Sequence, residues 1–505
     1  MVRFLLGLLL ASGIAVHDGA AQCVRNCPPP PPPQLPGDTR SDSNRVGWYA
    51  LGSVVGVFVG WAIQRHLFPD PPAGEGPPAR GLPVPDQPLT QVQLPSSGPP
   101  PAPRVGASGT PAPQGPPSGA AAPAAPAVQA LRRGFDLPPP GAPCLPDEII
   151  LDVPATVNAG TLDAIAGRHG MTRLETLTVR LTGRTLHRWQ IGSAGSIESM
   201  TRSLSESERL VLGTQCNFLY ALSESASDPV NADQYAPQKV NLIEAHRLAR
   251  GRRVLIAVID SEVDARHPDL AGAIVDTFEA SADDEHPHSH GTGMAGAMAA
   301  RRTVLGIAPQ ASLLTVRAFS SRANSVEGTT FNILKGLDWA AEKGARIINM
   351  SFAGPSDPRL RDALGKAYKK GIVLIAAAGN AGPNSPPLFP AADPNVIAVT
   401  ATDTDDALFP GANRGNHIAV AAPGVDILVP APDGAYQLTT GTSVAAAEVS
   451  GAAALLIERN PALTPAAVRK ILMDTAKDLG PRGRDRDFGA GLIDALGAVT
   501  AAQPR

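Results

Sequence analysis

The sequence predicts an α/β chain: a parallel sheet with helices on both faces, preceded by a small α+β domain and a disordered proline-rich N-terminal region. Three observations carry this. From about Tyr235 onward, short continuous apolar runs alternate with helical stretches, and continuous runs are what strands covered on both faces look like. Between Asp147 and about Leu222 the periodicity differs, and the elements read β-α-β-β-α-β. Prolines concentrate before residue 145, which holds 30 of the 52, and nothing there supports a core. At 505 residues the chain is too long for one ordinary domain. A net charge of −3 leaves no electrostatic footprint for nucleic acid.

Residues 1–21 read as a secretory signal: Arg3 precedes an apolar run over 4–16, and Gly19 and Ala21 follow. Cleavage is expected after Ala21, with an uncleaved anchor as the alternative. Residues 22–45 hold Cys23, Cys27 and six prolines at 28–33. Residues 46–63 carry no charge and are a candidate transmembrane helix, since about 1.5 Å per residue just spans a bilayer core. Gly52, Gly56 and Gly60 share one face of that helix and permit close helix packing; a surface-associated or self-associating helix is the alternative. Arg40 and Arg45 before it balance Arg65 and Arg80 after it, so charge does not fix its orientation. The expected location is extracytoplasmic, either secreted or membrane-tethered. Residues 64–144 form a Pro/Ala/Gly-rich linker.

The small unit spans residues 145–234. Residues 148–153 read as a strand and 161–169 as a helix with Leu162 and Ile165 on one face. Leu177, Val179 and Leu181 alternate, Thr182-Gly183 turns the chain, and Trp189 and Ile191 alternate in the returning strand. Ser196 caps a helix carrying Ile197, Met200 and Leu204, and 210–222 is the last strand. This order is ferredoxin-like. In that arrangement the first and last strands are neighbours, which brings Cys144 towards Cys216; a disulfide and two free thiols are both open. Residues 223–234 are a polar connection.

In residues 235–505 the expected strands are 254–259, 312–318, 346–350, 372–378 and 396–400, with helices at 329–343 and 359–370. Ligands of a parallel α/β sheet sit beyond the carboxyl ends of its strands. Asp260 ends the first strand, Ser351 follows the third, and Asn380 follows the fourth after Ala378 and Gly379. His290 opens the helix His-Gly-Thr-Gly-Met-Ala-Gly, and Ser443 opens an Ala-rich buried helix. All five therefore lie along one edge. A serine hydroxyl is a weak nucleophile and needs a base and an orienting acid. Ser443 suits attack on a carbonyl, His290 proton transfer, and Asp260 fixing of the imidazole tautomer. The Asn380 amide and the Ser443 N–H suit an oxyanion.

The stretches Val258-Ile259-Asp260-Ser261, His290 to Gly296, Ile348-Asn349-Met350-Ser351, Ala377-Ala378-Gly379-Asn380 and Gly441-Thr442-Ser443, in this order, resemble the subtilisin-like serine proteases, the subtilase family. The resemblance covers roughly Asn241 to Val499. It implies a subtilisin-like parallel sheet, an Asp260–His290–Ser443 triad, an oxyanion hole with Asn380, and substrate-lining residues Ser351, Phe352, Ala353, Ala378, Gly379 and Leu388. It also implies that the small domain is a propeptide that assists folding and then inhibits.

Departures from the family pattern are Glu262 where glycine is usual, Ala447 for proline and Glu448 for histidine. Phe352-Ala353-Gly354 varies the substrate-lining strand, and Leu388 replaces a small residue at the base of the first specificity pocket. Asp283, Asp284, Glu285, His286 and His288 crowd before His290 and read as a solvated loop, with a metal site as the minor alternative. The expectation is a serine endopeptidase made as a self-processing zymogen; a catalytically silent binding or scaffold protein on the same fold is the rival. Expected partners are polypeptide substrates, the chain's own propeptide-like domain and a membrane through residues 46–63. No nucleic acid, cofactor or metal is called for.

Overall fold

The computed structural model describes residues 131–193, 195–222, 225–227, 234–282, 286–322 and 325–503. The expected signal peptide, Cys23 and Cys27, the candidate transmembrane helix and Asp283–Glu285 lie outside them.

The small domain contains β1 (Cys144–Val153), α1 (Ala159–His169), β2 (Thr172–Val179), β3 (Arg184–Gln190), α2 (Ile197–Ser207) and β4 (Gly213–Ala221). β1 is central and antiparallel to β3 and β4, and β2 flanks β3. Asn158 accepts the Thr161 N–H to start α1, and Gly170 ends it in the left-handed region at φ 61°. Ser196 and Ser199 close a reciprocal capping box at α2. A disulfide joins Cys144 to Cys216 with Cα atoms 6.2 Å apart, inside the range a bridge requires. The expected linker ends earlier than residue 144. Phe135 is buried against the domain, and Arg132 donates to the Leu204 and Glu208 carbonyls at 3.1 and 2.7 Å, which satisfies the end of α2. An aromatic ring and a guanidinium can order a segment that proline content alone predicts to be loose.

The large domain opens with β5 (Ser225–Ser227), α3 (Ala236–Lys239) and α4 (Leu242–Ala245). Then come β6 (Leu255–Asp260), β7 (Ile274–Glu279), α5 (Ser289–Ala299), β8 (Ser312–Arg317), β9 (Phe319–Arg322), β10 (Ser325–Thr329) and α6 (Thr330–Glu342). They are followed by β11 (Ile347–Met350), α7 (Pro358–Lys369), β12 (Val373–Ala377), β13 (Val396–Thr402), β14 (Ile418–Pro423), β15 (Ile427–Ala431) and β16 (Ala435–Thr440). α8 (Thr442–Arg459), α9 (Pro465–Asp474) and α10 (Ala495–Ala501) complete the described chain.

Seven strands form one parallel sheet in the order β14-β13-β12-β11-β6-β8-β7. β6, β11 and β12 are buried nearly throughout, as their largely apolar runs require. α8 crosses one face of this sheet, touching β11, β12, β13 and β14, and is buried from Thr442 to Ile457. α6 and α7 cover the other face, where Phe331, Leu334, Leu360 and Leu364 share a core with Ile259, Ile348 and Leu374.

The small domain rests on α6 and α7. Asp338 on α6 accepts the Leu181 N–H at 2.7 Å, Lys335 pairs with Glu175 at 2.5 Å, and Asp362 on α7 pairs with Arg184 at 3.3 Å. Its sheet also continues into the large domain, in the order β2-β3-β1-β4-β10-β9. β4 pairs antiparallel with β10, placing Leu219, Tyr220 and Ala221 opposite Thr329, Gly328 and Glu327.

Candidate active site

Asp260 is the last residue of β6 and His290 the second of α5; both side chains are fully buried. His290 Nδ1 lies 2.7 Å from Asp260 Oδ1. That oxygen also accepts the Ser261 N–H at 2.7 Å and the Ser261 hydroxyl at 3.1 Å. The carboxylate therefore has three polar partners on one oxygen, which fixes its plane. Helix and strand approach closely because position 291 is glycine: a Cβ there would stand 2.5 Å from the Ser261 carbonyl oxygen. His288 caps α5, its Nδ1 accepting the His290 N–H at 3.1 Å. A ring that caps a helix this way is a positioning group, and among the described residues no cluster of three His, Cys, Asp or Glu side chains could hold a metal.

Ser443 is the second residue of α8 and is 3% exposed. The free N–H groups of the first turn and the positive end of the helix surround it. α8 packs directly on α5, so the helices bearing Ser443 and His290 are neighbours. The Ser443 hydroxyl donates to the Ser351 carbonyl at 3.1 Å, and the Ser351 hydroxyl donates to the Ser443 carbonyl at 2.9 Å. Asn349 donates to Ser351 Oγ at 2.9 Å and accepts from Ser450 Oγ at 2.9 Å. β11 and the strand end after it are thus tied to the first three turns of α8. The sequence placed Ser351 only among the substrate-lining residues and did not single out Asn349, although both stand in one of the quoted stretches.

Asn380 is held by its carbonyl end. Its Oδ1 accepts the Thr442 N–H at 3.0 Å and the Thr442 hydroxyl at 2.8 Å, and Thr442 Oγ1 accepts the Gly379 N–H at 3.0 Å. An amide fixed through its oxygen has its N–H donors fixed too. Thr442 was missed as a positioning residue; its place beside Ser443 was the available signal. Gly379 has φ 106°, and a Cβ there would meet Asn413 Nδ2 at 2.8 Å and Leu388 Cδ1 at 3.0 Å. Leu388 therefore lies against the Ala378-Gly379-Asn380 turn. Phe389 and Gly354 exchange backbone hydrogen bonds at 2.8 and 3.0 Å, which joins the Leu388 segment to the strand containing Phe352 and Ala353. Glu262 follows the Asp260 strand end, and its carbonyl accepts the His288 N–H at 2.9 Å.

The chain's own segment crosses this edge. Ala221 and Ala353 exchange both backbone hydrogen bonds, at 3.0 and 3.2 Å, while the Leu222 N–H donates to Val326 at 3.3 Å. Residues 219–222 are thereby inserted between β10 and the strand at Ala353. Three residues further on, β5 pairs antiparallel with β16, with Ser225 opposite Thr440. Ser443 is three residues beyond Thr440.

The carboxyl edge of this parallel sheet thus carries a buried aspartate–histidine pair, and the helix bearing the histidine packs on the helix that Ser443 begins. The chain belongs to the subtilase family and is a serine-type endopeptidase. Residues 251–491 match the Subtilase family. Thermitase from Thermoactinomyces vulgaris is 36% identical over 284 residues, 54% of this chain and 97% of thermitase. Subtilisin DY from Bacillus licheniformis is 36% identical over 280 residues, 53% of this chain and 99% of that one. Among solved structures, fervidolysin from Fervidobacterium pennivorans superposes with a TM-score of 0.63 at 22% identity, over 74% of this chain and 63% of that one, a likeness of fold. Among the described residues, no helix is long and apolar enough to cross a membrane.

Proposed function

We propose that the chain hydrolyses peptide bonds through Asp260, His290 and Ser443, and that it is made as a self-processing zymogen. The observation that carries this is the buried 2.7 Å contact between His290 Nδ1 and Asp260 Oδ1. Asp260 fixes the tautomer in which Nε2 is the base. Ser443 turns its hydroxyl from the Ser351 carbonyl to Nε2, and its oxygen bonds to the substrate carbonyl carbon as the proton passes to His290. The negative oxygen is met by the Ser443 N–H and the Asn380 amide. Collapse breaks the C–N bond, and His290 protonates the leaving amine. Water then repeats the sequence on the acyl-enzyme and releases Ser443.

The small domain, a ferredoxin-like propeptide, inhibits by lying in the substrate path. Support comes from the pairing of Ala221 with Ala353 on one side and Ser225 with Thr440 on the other. The self-cut falls between Leu222 and Ser225, the interval that these two pairings flank. The Cys144–Cys216 disulfide and the signal-like residues 1–21 support an extracytoplasmic site of action, since disulfides persist where the medium is oxidising. A fluorophosphonate probe tests the catalytic reading: the matured protein is labelled at Ser443, and absence of labelling overturns it in favour of a silent scaffold.

A further inference from the structure

Tyr220 is 1% exposed, although it stands at the end of β4, where the small domain reaches into the large one. Its ring meets Phe352 edge-on, with centroids 5.7 Å apart, and Phe352 in turn packs on Phe319 at 4.9 Å. The space is reserved by Gly354: a Cβ there would lie 2.3 Å from Tyr220 Cδ1. The phenol points at Asp357, with Oη 3.3 Å from Oδ2.

Asp357 is fully buried and is fixed without help from Tyr220. Its Oδ1 accepts the Arg359 and Leu360 N–H groups at 2.8 and 3.0 Å and so caps α7, and its Oδ2 accepts the Thr330 hydroxyl at 2.6 Å. Gln215 of the small domain adds a bond to Oδ1 at 3.0 Å. Phe319, Thr330, Phe352, Gly354 and Asp357 all belong to the large domain, so the pocket is built independently of its occupant. That occupant is delivered by backbone pairing on both sides, the way an added strand docks on a sheet edge.

Building on the peptidase reading above, we infer that Asp357 is a specificity-determining residue, which reads the phenolic hydroxyl and makes the substrate position that Tyr220 fills tyrosine-selective. When the small domain leaves, β10 and the Ala353 strand accept a substrate strand in the same register. The residue immediately before the one paired with Ala353 then enters the pocket. An aromatic ring fills the space between Phe352 and Gly354. Phenylalanine fills it equally but leaves a buried carboxylate oxygen one donor short, and a site built around a substrate hydroxyl rejects the analogue that lacks it. The phenol serves as donor because burial first, and then Asp357, hold Tyr220 well above its ordinary pKa and keep it protonated.

The test uses matured enzyme and synthetic peptides carrying residues 217–229 of this chain, with tyrosine, phenylalanine or O-methyltyrosine at position 220. The expected order of kcat/KM is tyrosine, then phenylalanine at least about tenfold lower, then O-methyltyrosine lowest, since the methyl ether has no proton to donate and adds bulk against Asp357. Cleavage of the phenylalanine peptide as fast as the tyrosine peptide overturns the inference and leaves the peptidase reading intact. Failure to cut any of the three, together with absence of fluorophosphonate labelling, overturns both.

Discussion

Ser443 and Ser351 hold each other: the Ser443 hydroxyl donates to the Ser351 carbonyl at 3.1 Å, and the Ser351 hydroxyl donates to the Ser443 carbonyl at 2.9 Å. The backbone of Ser443, the proposed nucleophile, is thus pinned to the strand end that follows β11. Ser351→Ala removes the bond to the Ser443 carbonyl and strips Asn349 Nδ2 of its acceptor. Buried polar groups left unsatisfied cost about 1–3 kcal/mol each, so the variant is destabilised by that order. Loss of position at Ser443 lowers kcat by roughly tenfold with KM little changed, because the misplacement acts on the attacking atom. Steady-state kinetics beside a denaturant titration separate the two effects; unchanged kcat contradicts the positioning role.

The Cys144–Cys216 disulfide closes a separation of 72 residues inside the small domain. Loop-closure entropy assigns a bridge of that span about 4 kcal/mol. Replacing both cysteines by alanine in a Ser443→Ala chain lowers the denaturation midpoint of the small domain. In the active parent, the same change shortens the lag between self-cleavage and full activity, because an unstable inhibitor is digested sooner. An unaltered lag contradicts this.

Leu388 lies against Gly379, at the turn that leads to Asn380. A longer side chain at the base of the first pocket shortens it, so small or medium apolar residues are preferred before the cut. The preference is broad, since one methylene is worth about 1–3 kcal/mol. A peptide library that strongly selects arginine or lysine there contradicts the assignment.

Glu448 on α8 is 2% exposed, and its Oε2 has no hydrogen-bond partner among the described residues. Burial holds its carboxyl well above the ordinary value of 4.5. The half-buried Tyr235 phenol is held above its ordinary value, by burial first and then by this carboxyl, and donates to the Val425 carbonyl at 2.7 Å. Because the folded state keeps a proton that the unfolded chain releases, stability falls as pH rises from the ordinary carboxyl value through the raised one. Each pH unit in that window costs about 1.4 kcal/mol. Glu448→Gln, made in a Ser443→Ala background, removes the slope. It matches the parent near pH 4 and exceeds it increasingly towards pH 8 in denaturant midpoint. Parallel pH curves contradict the assignment.

The parallel sheet was legible because β6, β8, β11, β12 and β13 are largely apolar runs without strict alternation. β7 was missed because its residues alternate between half-buried and exposed at the sheet edge, and β14 because Ile418–Pro423 is mostly small residues before a proline. In the site, Asp260, His290, Ser443 and Asn380 were readable as chemistry-bearing types at strand ends and helix starts. Ser351 Oγ, Asn349 and Thr442 were not read as positioning groups, since their roles exist only once β11 and α8 lie side by side. The placement of Ala221 against Ala353 and of Tyr220 against Asp357 joins residues more than a hundred positions apart, and no local pattern announces such pairs. The small domain was the reverse case: its strand order alone brought Cys144 towards Cys216.

On the proposed function, Ser443 cuts the chain's own backbone between Leu222 and Ser225. The direct measurement is the N-terminal sequence and intact mass of protein purified from a host lacking other proteases, for the parent and for Ser443→Ala. The parent yields a large-domain product whose first residue lies between Ser223 and Ser225, while Ser443→Ala stays joined across that segment with the same fold. A Ser443→Ala chain cut between Leu222 and Ser225, or a parent that begins elsewhere, contradicts the account.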